Sequence, residues 1–521
     1  MVSSNLLQVV TKSPIDKVMY GNPQVTFFKS VYKRASNFAS NYIFRNINSN
    51  INWGSTLRIK IPRDGDLLGG ITIRIKLSDL KRKYFYFFQG NSVNADSGAG
   101  PGFNIGTHNL NSTAISSLKN YTAFEAGLPT ANGSYTIDPQ FTSFVNGIGS
   151  IIVREVSLIV GGKTIETLPG EWMFINNELH SNNNSKEMFY DSVYYNKTEF
   201  NPGETNISNI DLVISVPFYF TKDSGLYLPI VAMFNENIEL EIKLRTLEEC
   251  LIRKYQNNED PNTAPGNNGY YWFKSDDPVA NQTPNVLLGM NGPRPYFSVD
   301  TGIKYNEDVT ATIDTLDVIY KYYYLDDDEK DYFLTNTHNY IVPITQHMKS
   351  DYFTYQMDSE KYIDMEFRNA IRYFVFTIQR RDNLDDGDYF NFTYESKLKL
   401  QNSSILELFD NKKYILDMFN LEINNYDLLD KIPSKILNNI EFYNKFKNSS
   451  NILLYVYSFA LYPNEVAPSG SFNFSKLHNQ FIKLKLIDPS IFNNEELMVN
   501  IYVSSYNILS ISEGLTGFRY Y

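Results

Sequence analysis

The residue types that could do chemistry are few in this chain. There are five histidines, His108, His180, His338, His347 and His478, and one cysteine, Cys250. No histidine stands in an H-E-x-x-H arrangement, where two imidazoles four apart on one helix face converge on zinc. His338 and His347 come nearest to a pair, nine residues apart with Pro343 between them, and ordinary packing accounts for them. A single thiol forms no intramolecular disulfide and supplies no cysteine zinc site. No histidine lies close to Cys250 in sequence to activate it, and there is no G-x-S-x-G elbow. The acidic runs Asp326-Asp327-Asp328-Glu329 and Asp385-Asp386-Gly387-Asp388 lack the oxygen ladder and terminal bidentate Glu of a calcium loop, so they read as solvated turns. The glycine-rich stretch 98–106 has neither the strand-to-helix context nor the Lys-Ser/Thr of a phosphate cradle. Sequence spacing does not reveal whether two carboxylates face each other across a cleft, and nothing singles out such a pair. The reading is therefore of a chain that is not an enzyme. No catalytic residue, no cofactor-binding residue, no metal ligand and no cofactor is expected.

The bulk properties narrow the classes further. The chain has 521 residues, with 47 Lys+Arg against 58 Asp+Glu, a net charge of −11 and a sequence pI near 5.2. That balance lacks the footprint of a general nucleic-acid binder and opposes attraction to an anionic membrane. The N-terminus lacks a basic stretch before an apolar one, so no signal peptide is read. The N-x-S/T triplets scattered through this Asn-rich chain are then not expected to be glycan acceptors. The longest apolar stretch, Ile148 to Val160, is broken by Arg154 and Glu155, so a soluble protein without a spanning helix is expected. Hydrophobic residues at 42% against 20% charged exclude a disordered polyelectrolyte. The length fits two large β domains as well as three ordinary ones.

The elements that would position any site read as strands. Leu57, Ile59 and Ile61 alternate with Arg58 and Lys60; Ile71, Ile73, Ile75 and Leu77 alternate with Thr72, Arg74 and Lys76. The same period recurs at 238–244, 482–486 and 497–503. Period-2 alternation buries one face and wets the other, as in antiparallel sheets. Ile151–Val160 and Ile371–Ile378 are denser, as strands covered on both faces would be. Tyr and Phe, 39 and 36 in number, favour strands too. With no βαβ rhythm, the expected fold is an antiparallel sandwich or barrel. Residues 403–447 read differently: a capping-box form at Ser404-Ile405-Leu406-Glu407 and apolar spacing through Phe419 and Ile440 predict a mostly helical excursion.

Longer motifs then become recognisable. Gly21-Asn22-Pro23-Gln24-Val25-Thr26-Phe27-Phe28-Lys29, continuing to Asn37-Phe38-Ala39, resembles the N-terminal signature of the major capsid proteins of nucleocytoplasmic large DNA viruses. Gly65-Asp66-Leu67-Leu68 is similar to the next block of that family. So are Ile159-Val160-Gly161-Gly162-Lys163-Thr164-Ile165-Glu166, Gly170-Glu171-Trp172 and Leu226-Tyr227-Leu228-Pro229-Ile230. In the second half the resemblance continues through Leu316-Asp317-Val318 and Ser458-Phe459-Ala460-Leu461-Tyr462-Pro463, then Pro468 to Ser475 and Gly514-Leu515-Thr516-Gly517-Phe518. The matches follow family order over nearly the whole chain. The chain departs from the pattern at His338-Asn339-Tyr340 and at Phe234-Asn235-Glu236-Asn237, and the segments 84–146, 256–300 and 400–447 look lineage-specific.

The resemblance implies an all-β double jelly roll, two consecutive eight-stranded antiparallel jelly rolls with long loop insertions. The expected division is an N-terminal arm 1–24, a first jelly roll 25–250 with a long insertion 84–146, a loop or linker 251–300, and a second jelly roll 301–521 with a helical insertion 400–447. It also implies a structural capsid role. Three chains would form a homotrimer, a pseudo-hexameric capsomer of net charge −33 that tiles the icosahedral capsid of a large double-stranded DNA virus. Implied partners are neighbouring capsomers, minor capsid and penton proteins and, through the arm, the internal membrane layer. No direct nucleic-acid binding is expected. The expected location is the virion, after synthesis and assembly in the host cytoplasm or viral factory. Two alternatives accompany this reading: a lower-copy capsid paralogue, a variant capsomer subunit, and a glycan-binding jelly-roll protein of the virion surface.

Overall fold

In the computed structural model of the chain the alternating segments pair into antiparallel ladders. The structure describes residues 28, 34–47, 51–88, 141–196, 210–256, 270–273, 303–354, 360–385, 387–393, 414–477, 479–487 and 496–520. The chain divides into two units, residues 1–38 and 39–521; the second carries the sheets.

In the first half, β1 (Phe38–Asn46), β2 (Thr56–Lys60) and β3 (Leu67–Leu77) are followed by β4 (Lys81–Phe88) and β5 (Phe141–Phe144). Then come β6 (Val153–Val160), β7 (Lys163–Pro169), β8 (Ile210–Ser215), β9 (Ile238–Leu244), β10 (Leu251–Gln256), β11 (Tyr270–Phe273), β12 (Ile303–Thr310) and β13 (Ile313–Leu325). One sheet has the order β1-β13-β3-β8 and the other β2-β9-β6-β7. The second half has β14 (His338–Lys349), β15 (Phe353–Thr354), β16 (Lys361–Asp364), β17 (Ala370–Arg380), β18 (Leu416–Ile423) and β19 (Tyr426–Pro433). It closes with β20 (Tyr455–Ser458), β21 (Phe472–Asn473), β22 (Gln480–Leu486), β23 (Glu496–Ser512) and β24 (Leu515–Phe518). Its sheets run β14-β23-β17-β20, with β15, β21 and β24 at the margins, and β16-β22-β18-β19.

The two halves are the same permutation. With the eight principal strands of each half lettered a to h in chain order, both halves show a-h-c-f facing b-g-d-e. That is the jelly roll, and the chain holds two of them. The tight d–e turns agree: Gly161 and Gly162 (φ 58° and 78°) join β6 to β7, and Asn424 and Asn425 (φ 52° and 65°) join β18 to β19. Both are two-residue hairpins with left-handed central residues, which Gly and Asn tolerate best. A helix, Asp327–Thr335, joins β13 to β14, and helices sit in the e–f connection of both halves. In the first these are α2 (Gly170–His180) and α3 (Asn183–Val193), after a short α1 (Ile148–Ile152); in the second, a π-helical turn Ile436–Glu441 and Phe442–Phe446.

Three expectations are corrected. First, 403–447 is not mostly helical. Residues 403–413 lie outside those described, but Leu416–Ile423 and Tyr426–Pro433 are paired strands and only the segment after Pro433 is helical. Register shifts between Leu416 and Met418 and around Leu421 break the two-residue period, leaving apolar positions 416, 419, 421 and 423 that mimic helical spacing. Second, the second jelly roll does not open at 301. β13 pairs with β3 from Ile313↔Leu77 to Tyr323↔Leu67, completing the first a-h-c-f sheet. Its alternating Leu316, Val318, Tyr320 and Tyr322 fill the first core. Third, the alternation at 497–503 does not leave one face wet. β23 is buried on both faces from Leu497 to Ser505, because part of the first half packs across it.

Candidate functional site: the seam between the two jelly rolls

Among the described residues the most chemically loaded part is a stretch of eighteen, Lys163 to His180, formed by β7 and α2. It carries three acidic side chains, Glu166, Glu171 and Glu178, and each makes its bonds across or along the seam with the second jelly roll.

Glu166 sits on β7, 2% exposed. Its Oε2 accepts from the backbone N–H of Tyr219 and its Oε1 from that of Thr345 on β14, both at 3.0 Å. Burial raises its pKa above the usual carboxylate value, while the Lys222 charge and the two N–H donors pull the other way. Glu171 opens α2 and meets Arg245 Nη2 at 2.5 Å and Lys349 Nζ at 3.9 Å. Burial alone would raise its pKa, but the two cations hold it at about 2. The Arg245 guanidinium also lies 5.1 Å from the ring centre of Tyr389, a cation over an aromatic face. Glu178 and Lys186 are both fully buried and 3.1 Å apart. Glu178 also accepts from Tyr190 Oη, from the N–H of Asn451 at 2.9 Å and from Ser450 Oγ at 3.2 Å. Lys186 donates to the Ser449 carbonyl at 2.5 Å. Every buried charge here therefore has a charged or hydrogen-bonded partner, the condition under which burial is tolerated.

Apolar contacts close the seam. Trp172 stacks on Tyr502 of β23 at 5.0 Å, and His347 stacks on the same ring at 4.5 Å. Phe174 stacks on Phe390 at 4.0 Å. The glycine before Glu171 is required by space: a Cβ on Gly170 would lie 2.0 Å from the Val153 carbonyl oxygen and 2.3 Å from that of Ser150. The helix can start against β6 only if no side chain is there. The departure at 234–237 also serves the seam. Asn235 Nδ2 donates to the Glu513 carbonyl and Glu236 Oε2 accepts from Thr516 N–H, each at 2.8 Å.

This seam fixes two jelly rolls as one body. Large eukaryotic DNA virus major capsid protein is the family that matches residues 329–517, and its major capsid protein N-terminus matches residues 26–93 and 114–326. The chain belongs to this family. The break between the two matches falls directly after β13. The major capsid protein of Chrysochromulina ericina virus is 20% identical over 609 aligned residues, and that of Paramecium bursaria Chlorella virus 1 is 21% identical over 553. Both alignments span all of this chain and all of the relative. Probable capsid protein 4 of Acanthamoeba polyphaga mimivirus is 27% identical over 252 residues, covering 48% of this chain but only 39% of that protein. Among solved structures, PBCV-1 VP54 fitted into a reconstruction of the virophage Sputnik aligns with a TM-score of 0.62 at 18% identity, over 95% of this chain and 100% of the other. The Faustovirus major capsid protein gives 0.61 at 10% identity, over 96% and 95%. As a major capsid protein of this family the chain has a structural role in the capsid of the virion, and its relatives are structural proteins, not enzymes.

The residues that sequence reading weighed for chemistry fall into structural places. His338 donates through Nε2 to the Phe333 carbonyl at 3.0 Å. His347, an odd number of residues along the same strand, points to the other face. Burial pushes its pKa down to about 4. His180 lies 3.0 Å from Asn464 Oδ1 through Nδ1 and 3.3 Å from Tyr373 Oη through Nε2. Asp326 caps the helix Asp327–Thr335, accepting from Glu329 N–H at 3.1 Å. Asp388 accepts from Asn391 Nδ2 at 2.9 Å. Cys250 is buried, and burial pushes its thiol up to about 12. Among the described residues no cluster of three or more His, Cys, Asp or Glu could hold a metal. His108, His478, the 98–106 stretch and the N-terminal arm 1–24 lie outside the described residues. Sequence reading missed the seam's acidic triad, although the family motif containing Glu166 and Glu171 was in view.

Proposed function

We propose that three copies of this major capsid protein form a pseudo-hexagonal trimer that tiles the shell of a large DNA virus. The observation carrying this reading is the internal duplication: two jelly rolls of identical strand order, fixed side by side, make each chain two near-equivalent lobes. Three such chains make six lobes in a closed ring, which is how closed symmetry uses one heterologous contact repeatedly. Within each chain, the first jelly roll ends with β13 and the second begins with β14.

The connections a–b, c–d, e–f and g–h leave one end of each roll, because successive strands alternate in direction. The other end has the short b–c and d–e links. The long insertions join strand ends on the first side. The ladders β4–β12 and β10–β5 extend β3 and β13, and β9 and β6, on that side as well. We assign this side to the outer face of the capsomer and the opposite end to the floor; the partners of this reading are neighbouring capsomers, minor capsid and penton proteins and, through the arm 1–24, the internal membrane layer. Single-particle reconstruction of the purified protein tests the assignment. A three-fold particle of hexagonal outline is expected, and in a reconstruction of the assembled shell the c–d insertions are expected on the side away from its interior; insertions facing the interior would overturn the assignment.

A further inference from the structure

One positive charge in the seam stands without a counter-charge. Arg372 of β17 is 3% exposed. Its Nη2 donates to the carbonyls of Pro463 and Glu465 at 2.7 and 2.6 Å. Those oxygens tie the guanidinium to the loop after β20, but they are neutral and do not offset its charge. Among the described residues Arg372 forms no ion pair. Its buried Nε–H has no acceptor. Such an orphaned donor is uncommon in folded proteins, and on a charged group it costs more than on a neutral one.

The strand register places this group. β17 and β23 pair Ile371 with Ser505 and Tyr373 with Ser504, so Arg372 is the extra residue of a bulge, a device that re-aims a side chain. Ser504 also faces Thr345 of β14. Tyr373, Ser504 and Thr345 thus stand in a row on one face of the sheet. That face is turned to the first jelly roll: Tyr373 Oη lies 3.3 Å from His180 Nε2, and Tyr502, two residues from Ser504, stacks on Trp172. The guanidinium lies 4.9 Å from the ring centre of Tyr506 and 5.8 Å from that of Tyr373. Tyr506 is also two residues from Ser504 and so on the same face. Its hydroxyl is covered and has no partner. Two unused donors, Arg372 Nε and Tyr506 Oη, therefore belong to one contact.

The charges around this contact agree. Lys222, from the first roll, acts on Arg372 as a second cation, and Glu166 offsets one of the two. Two cations less one carboxylate leave one positive charge over. Water would accept from the unused donors, but it would leave that charge uncompensated.

We infer that this part of the seam binds one small monovalent anion, chloride in ordinary media, through Arg372 Nε–H and Tyr506 O–H. The anion is singly charged because one charge remains to be offset. It is small because two carbonyl oxygens already occupy Nη2 of the same guanidinium. Bound there, it ties the loop at Pro463–Glu465 and β17 into the seam, so the union of the two rolls is firmer in chloride.

The test uses the full chain at fixed protein concentration and fixed ionic strength, with sodium chloride replacing sodium gluconate. The melting temperature is expected to rise by roughly 2–5 °C for each tenfold increase in chloride beyond the dissociation constant, and bromide should act alike. Arg372→Met is expected to abolish the rise. Tyr506→Phe keeps the ring beside the guanidinium, so it should fold as the parent does and need more chloride for the same rise. Tyr362→Phe, at an exposed tyrosine on β16, should leave the rise unchanged. A crystal grown in sodium bromide is expected to show an anomalous peak in contact with Arg372 Nε and Tyr506 Oη. A melting temperature indifferent to chloride, a chloride response identical in Tyr506→Phe and the parent, or no bromide peak at Arg372 overturns the inference. So does inorganic phosphate producing the rise where chloride does not.

Discussion

Glu178→Gln is the sharpest probe of the seam. The substitution keeps the shape of the side chain, so it opens no cavity. It removes the negative charge 3.1 Å from the Lys186 ammonium, which is fully buried and also donates to the Ser449 carbonyl. An ammonium left without its counter-charge in the interior typically costs about 3–5 kcal/mol. For rolls of this size that corresponds to a fall in melting temperature of roughly 6–20 °C. Lys186→Met in the same chain removes the stranded charge and should restore much of the loss, because a buried pair replaced by apolar groups is often near neutral. Exposed pairs give the contrast. Arg58–Glu239, with Arg58 half in solvent, should move the midpoint little when Glu239 becomes Gln. Scanning calorimetry on the parent, the single and the double variant measures all of this. A single variant within about 1 kcal/mol of the parent, or a double variant less stable than the single, would refute the reasoning.

Other expectations follow from the same geometry. Gly170→Ala should leave little soluble folded protein, because the added methyl would meet two backbone oxygens at 2.0 and 2.3 Å; normal yield and melting temperature would contradict this. His347 is held at about 4 in the fold against about 6.5 unfolded, so its contribution is complete above pH 6.5 and lost as pH falls toward 4. Between pH 7 and pH 5 it should cost about 2 kcal/mol, and His347→Phe, which keeps the stack on Tyr502, should remove that part of the acid sensitivity. Burial on Glu166 acts in the opposite direction: with its folded pKa raised, its contribution is greatest below the unfolded carboxylate pKa and is lost as pH rises through the folded one. Glu171, held at about 2, should keep its bond to Arg245 through the mildly acidic range; Arg245→Met removes the main cation that holds it down, so it should destabilise more at pH 7 than at pH 5, where the buried carboxyl can take up a proton. Cys250, buried with its thiol at about 12, should resist iodoacetamide at neutral pH in the native protein and react after denaturation, as read by intact mass.

Much of the framework was legible from residue order. The strict alternations at 57–61, 71–77, 238–244 and 482–486 became β2, β3, β9 and β22, because a strand with one face in a core leaves that trace. The motif around Gly161-Gly162 is a hairpin with a mechanical reason for its glycines. The Asn424-Asn425 turn carries the same signal, within a stretch whose bulges shift the apolar spacing toward a helical period. What residue order did not reveal was pairing at long range. Thr345 bonds Glu166 across 179 positions, and Asn451 bonds Glu178 across 273. β13 joins a sheet begun by β1 only after the whole first roll has been laid down. The role of Glu166 as a bridge depends on backbone groups, which have no side-chain signature to find.

The most direct test of the account is the mass and outline of the purified protein. Three chains of 60.1 kDa each should give a particle of about 180 kDa with three-fold symmetry and six lobes. A species at 60.1 kDa at every concentration and salt, or a particle with a two-fold axis and no hexagonal outline, would contradict it.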